Sequence, residues 1–225
     1  MRKDLKTFFN LSKYAIGYKS NLVMSIVFGV VGLIWDICSF FSPDMFLNGF
    51  DAGAYFMILA GATFSQTSFT VIYSGIGASS KEYRNILLKY STIIMTIFSL
   101  SGITLSLFIH FASVTRTPDI LPKISFTLIQ IGLFAFYIQA YFAIAYKIYA
   151  LSSAFFILII IPLMFIGTYF DLFNKMSSFS VVMATILCYA LTILGTISYY
   201  VIAKLLYKKP FDSQAFRVAI AKASK

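Results

Sequence analysis

Long apolar runs alternate along the chain with short polar intervals. Six stretches, about 21–42, 53–74, 91–112, 125–147, 152–170 and 179–203, are each long and apolar enough to predict a membrane-crossing helix. A bilayer core of about 30 Å takes roughly 20 residues at about 1.5 Å each. The connections on one side of these spans, 43–52, 113–124 and 171–178, are short, with Pro or small polar residues at the turns. They leave no room for an extracellular domain. No internal repeat and no linker divides the chain, so residues 1–225 read as a single transmembrane domain. The expected fold class is an all-α membrane protein of six spans.

Two elements on the other side are polar but patterned. Before span 1, Leu5, Phe8, Phe9, Ala15 and Ile16 recur at helical intervals, with Lys6, Asn10, Lys13 and Gly17 opposite. That predicts an interface helix within 1–19, its aromatics among acyl chains and its lysines near anionic headgroups. An ordinary juxtamembrane anchor has the same pattern. Between spans 2 and 3, Gly75 and Gly77 break the preceding helix and Ser79-x-x-Glu82 forms a capping box. A new helix is predicted from about Ser80, carrying Tyr83, Ile86 and Leu87 towards the bilayer or a partner and Lys81, Arg84 and Lys89 towards polar contacts. The same residues also suit a span 3 that simply starts early.

Composition agrees with the pattern: 60% of residues are hydrophobic, only 12% are charged, and mean hydropathy is +0.86. The net charge of +10 does not mark a nucleic-acid partner, because the cations lie in short clusters between apolar runs. Their placement sets orientation instead. Of 18 Lys and Arg, 15 fall before span 1, between spans 2 and 3, at the end of span 4 or after span 6; only Arg116, Lys123 and Lys175 lie on the other face. By the positive-inside rule both termini and the 75–92 stretch face the cytoplasm, with 204–225 a basic cytoplasmic tail. Span 1 is too long for a signal-peptide core and lacks a small-x-small cleavage site, so it is expected to be retained. Cys38 and Cys188 sit inside apolar runs, which suits packing rather than metal or disulfide chemistry.

Polar residues inside the spans are the candidate functional groups. Asp36, beside Trp35 in the outer half of span 1, needs a partner, water or a proton. His110, Arg116, Lys123 and Lys175 are at suitable depths, and the acid is read either as part of a transport path or as a structural group near the outer interface. Gln66 and Gln139 cannot face lipid and must meet another helix or an aqueous cavity. Ser25, Gly29 and Gly32 permit close packing of span 1, and Pro162 in span 5 provides a hinge or a bend. No catalytic constellation is visible and no metal site, since one histidine cannot form a cluster. The stretch Gly75 to Lys81 only echoes a phosphate-binding loop: Ser80 stands where Gly is required and Glu82 where Ser or Thr is required. An ATP-driven activity therefore needs another subunit to hold ATP and Mg.

A cytoplasmic amphipathic helix, six spans, a capped element between spans 2 and 3 and a basic tail together resemble the membrane subunit of an ABC-2 type exporter. Its small size and short external turns are most similar to the permeases of phenol-soluble modulin and related Gram-positive peptide exporters. The resemblance is one of layout over the whole chain and rests on no diagnostic motif. It implies a bacterial cell-membrane location and a pair of permease subunits, homo- or heterodimeric, each docked on a cytoplasmic ABC ATPase. It also implies that Ser79 to Leu88, with Ser79, Lys81, Glu82, Tyr83, Arg84, Ile86 and Leu87, is the coupling element. Lys3 to Tyr18, with Lys6, Phe8, Phe9 and Lys13, is then the interface helix. Spans 1, 2 and 5 form much of the implied pathway, for which 25 Phe and 15 Tyr offer aromatic walls. One departure is that only 171–178 separates spans 5 and 6, where many such permeases carry re-entrant helices. The rival readings are the six-helix substrate-binding subunit of an energy-coupling vitamin importer, which also lacks an ATPase, and an assembly protein with no transport role.

Overall fold

A computed structural model describes residues 2–13, 18–41, 52–74, 81–114, 121–144 and 180–206. Within the helices, the side chains of 66–74, 81–82 and 110 and several at helix ends lie outside that description. The described residues form six helices: α1 (Arg2–Ser12), α2 (Tyr18–Phe41), α3 (Ala52–Ser74), α4 (Lys81–Val114), α5 (Leu121–Ile144) and α6 (Val181–Leu206). Four segments, Lys19–Phe41, Tyr83–Ile109, Ile124–Ala143 and Val181–Leu205, are long and apolar enough to cross a membrane, and α3 adds a shorter apolar stretch, Ala52–Ser65. This is the architecture of a helical membrane protein. In hydrocarbon every backbone N–H and C=O needs an internal partner, and a helix supplies one. The predicted spans 1, 2, 4 and 6 correspond to α2, α3, α5 and α6, shifted by a few residues at their ends. Span 5 and Pro162 lie outside the described residues.

The bundle has an apolar core, yet it also exposes apolar side chains and buries polar ones. α2 and α6 expose Val23, Ile26, Ile34, Val182, Ile186 and Leu194, whereas Ser99, Gln139 and Thr192 are buried. Lipid solvates such apolar faces, so association of the helices depends on close packing and internal hydrogen bonds. The spacing Ser25, Gly29, Gly32, Asp36 puts one stripe of α2 against α3, and there the Ser25 hydroxyl donates to the Ala60 carbonyl at 2.8 Å. A Cβ at Gly102 of α4 would lie 2.7 Å from the Met57 Cβ of α3. A Cβ at Gly132 of α5 would lie 2.8 Å from the Cys188 Cα of α6, and one at Gly195 of α6 would lie 2.8 Å from the Phe136 Cα of α5. Only glycine permits these approaches.

The contacts also fix direction. α2 runs antiparallel to α3, and α3 to α4, as Gly61 meets Phe98 and Gly102 meets Met57. α5 and α6 are parallel, because Gly132 meets Cys188 while Phe136, further along α5, meets Gly195, further along α6. Ile144, at the end of α5, and Ser180, at the start of α6, therefore lie at opposite ends of the bundle. Ser180 caps α6, its hydroxyl accepting the Met183 N–H at 3.2 Å.

Two expectations change. The interface helix predicted over 1–19 is a helix over Arg2–Ser12, with 14–17 outside the described residues. The element between spans 2 and 3 is not a separate helix: from Lys81 it forms the first turns of α4, which continues unbroken to Val114. At 34 residues α4 is about 50 Å long, roughly 20 Å more than a hydrocarbon core requires. No glycine or proline interrupts Lys81–Tyr90, so nothing in that sequence stops the helix between its polar start and its apolar body.

Candidate functional site

The starts of α2 and α4 and the ends of α3 and α6 share one end of the bundle, and α1 packs there. On α1, Phe8, Leu11 and Ser12 turn inward. The Phe8 ring is fully buried among Phe64, Leu87 and Tyr90, 5.5 Å from the Tyr90 ring and 6.5 Å from the Phe64 ring. Phe9 packs edge-on to Phe64 but remains 40% exposed, and Lys6 and Lys13 are exposed. The expectation that both aromatics enter acyl chains thus fails for Phe8, because the base of α3 and α4 offers it a protein pocket. Leu87 is likewise buried against α1 rather than facing outward. The two basic elements that sequence treated separately are one unit.

What this unit presents outward is Tyr83, 40% exposed, with Arg84 half-buried and Lys89 exposed, its ammonium 5.9 Å from the Tyr90 ring centroid. Ile86 is half-buried against the Phe8 cluster. Lys81 and Glu82 open α4, with their side chains outside the described set, and Ser79 lies outside the described residues altogether.

A second constellation lies inside the bundle, where α4, α5 and α6 meet. Gln139 of α5 is fully buried. Its amide nitrogen donates to the Ser99 hydroxyl of α4 at 3.0 Å, and its carbonyl oxygen accepts from the Thr196 hydroxyl of α6 at 3.0 Å. Thr96 reaches Thr196 at 3.4 Å. Further along the same seam the Tyr199 hydroxyl donates to Ser91 at 3.2 Å, and Thr104 and Tyr189 share a hydrogen bond of 2.9 Å. The amide predicted to need another helix thus finds two. Gln66 occupies α3, but its side chain is not described.

Asp36 is buried at the opposite end of α2. Its carboxylate rests against Gly53, the second residue of α3, where a Cβ would overlap it. The acid therefore sits at the positive end of the α3 dipole, near backbone N–H groups that have no intrahelical acceptor. Beside it, Leu33, Ile37 and Phe41 of α2 and Leu105 and Phe108 of α4 line a cleft of about 350 Å³ whose wall is apolar. Asp36 is itself among the residues lining that cleft, and its carboxylate lies against the start of α3. The side chains of His110, Arg116, Lys123 and Lys175 are not described.

Among the described residues, no group of His, Cys, Asp and Glu could hold a metal ion. The fold and these two constellations define a helical membrane protein with a polar-capped end and a hydrogen-bonded core. No family model, curated protein or solved structure matches the chain.

Proposed function

We propose that the chain is the permease subunit of an ATP-driven ABC exporter, moving amphipathic peptides or similarly apolar molecules out of a bacterial cell. In this reading it has six spans with both termini cytoplasmic. It pairs with a second permease subunit and docks on a separate ABC ATPase that holds ATP and Mg. The observation that carries the reading is the union of α1 with the projecting start of α4. Phe8 locks the amphipathic helix onto Leu87 and Tyr90, leaving Tyr83 and Arg84 displayed at the tip. A push on that tip moves the whole of α4, because no break separates it from the membrane body. The parallel course of α5 and α6 supports six spans, since it demands an odd number of crossings between them.

The test is a Tyr83→Ala/Arg84→Glu double variant. Tyr83 is exposed and Arg84 half-buried, and thermal stability measured beside the parent separates a folding defect from a docking defect. Copurification with the ATPase should fall at least tenfold, and permease-stimulated ATP turnover should fall with it. Unchanged association and turnover would remove the reading.

A further inference from the structure

The interfaces of the bundle are of two kinds. α2, α3 and α4 are joined by contacts that only glycine allows: Gly32 lies over the Gly53 carbonyl, and Gly61 and Gly102 lie over Phe98 and Met57. α5 and α6 are joined the same way through Gly132 and Gly195. Such surfaces cannot slide without backbone collision. The two blocks meet where Tyr55 of α3 stacks edge-on to Phe134 of α5, at 4.5 Å between centroids, and along the α4/α6 seam. That seam is built from hydroxyls.

Most of these hydroxyls have a second acceptor on their own helix. Thr96 also reaches the Thr92 carbonyl at 2.8 Å, Thr104 the Leu100 carbonyl at 2.8 Å and Thr196 the Thr192 carbonyl at 3.1 Å. Ser91 donates to the Leu88 carbonyl at 3.0 Å while accepting from Tyr199. When the seam parts, each of these four groups keeps an intrahelical bond, so separation leaves none of them bare in a low-dielectric interior. Gln139 differs. The Ser99 hydroxyl that accepts from its amide nitrogen lies across the seam on α4, whereas Thr196 stays beside it in the α5/α6 block, so an open seam leaves the amide N–H groups needing water or a polar group of a passing molecule.

We propose that the α4/α6 seam is the interface that opens, and that the Gln139 amide and the flanking hydroxyls line the route taken by the polar groups of an amphipathic cargo. This rests on the export reading and relocates part of the pathway from spans 1, 2 and 5 to α4, α5 and α6.

The experiment uses the full chain in proteoliposomes, without an ATPase, carrying Cys38→Ala and Cys188→Ala. Single cysteines are placed by Ser99→Cys, Thr196→Cys and Thr96→Cys in the seam and by Ser25→Cys in the glycine-packed α2/α3 interface. Folding is checked by monodisperse elution, and Thr96→Cys serves as the independent second position should another variant fail. Each is exposed to a charged methanethiosulfonate reagent. The seam positions should react at least tenfold faster than Ser25→Cys, although Ser25, Ser99 and the seam centre at Gln139 are all buried. Equal rates would overturn the opening seam. A synthetic amphipathic Leu/Lys helical peptide should then slow modification at Thr196→Cys at least threefold. Fast modification without protection by the peptide would leave the seam mobile and overturn its role as a cargo route. Loss of ATPase association in the Tyr83/Arg84 variant would not affect either result.

Discussion

Gly132→Val is expected to disrupt the α5/α6 pair. The new Cβ would lie 2.8 Å from the Cys188 Cα and 3.2 Å from the Cys188 carbonyl oxygen. Backbone atoms cannot rotate away as a side-chain tip can, so the helices must separate. Overpacking of this kind costs about 1–3 kcal/mol, and a clash with backbone belongs at or above the top of that range. The damage spreads, because Gln139 lies two turns along α5 and its bond to Thr196 requires the same helix spacing. Thermal unfolding in detergent, followed by loss of helical signal, should show a midpoint far below the parent. Gly29→Ala is the matched control. Its Cβ would meet only the Ala60 Cβ at 4.0 Å, an ordinary contact. Replacing glycine in a helix interior gains up to about 1 kcal/mol, so this variant should equal or exceed the parent.

Gly53→Ala is the second change with a large expected effect, and it acts through charge. The methyl would occupy the place of the Asp36 carboxylate. Either α2 and α3 move apart or the carboxylate leaves the start of α3 for apolar surroundings. A buried charge deprived of its compensating dipoles costs about 2–3 kcal/mol or more. Asp36→Ala alone should also destabilise, since it removes the negative charge that sits at the positive end of the α3 dipole. The double variant removes clash and charge together, so its loss should be clearly smaller than the two single losses added. Simple additivity would show that Asp36 and Gly53 do not act on one another.

Much of this architecture is legible in the chain because a membrane span needs only length and apolarity. The predicted starts and ends of α2, α3, α5 and α6 agree with the structure to within four residues, a little beyond the one or two residues by which helix ends fray. Tertiary choices were not legible. Phe8 and Phe9 are adjacent aromatics of equal hydrophobicity, and only the concavity beside Phe64 and Tyr90 decides which is buried. The capping box at Ser79 marked a helix start but carried no information on where that helix would end. The direction of α5 against α6 depends on pairing Gly132 with Cys188, residues far apart in sequence. Asp36 offered a usable signal that depth alone did not. Its spacing from Ser25, Gly29 and Gly32 places it on the close-packing stripe of α2, so a helix neighbour was a better expectation than the external turns.

Gln139 was the most informative polar residue at both levels. Its burial demand followed from amide chemistry alone. Its donor partner Thr196 and its acceptor partner Ser99 come from separate helices that no local pattern connects.

The central claim is that the α4 start faces the cytoplasm while the α6 start faces outside. Single cysteines at Lys89→Cys and Ser180→Cys, in a chain lacking Cys38 and Cys188, test it with a membrane-impermeant maleimide on intact cells. The account expects Ser180→Cys to be labelled directly and Lys89→Cys only after permeabilisation. Labelling of Lys89→Cys from outside, or of both positions from the same side, would contradict it, because no cytoplasmic ATPase could then reach α4.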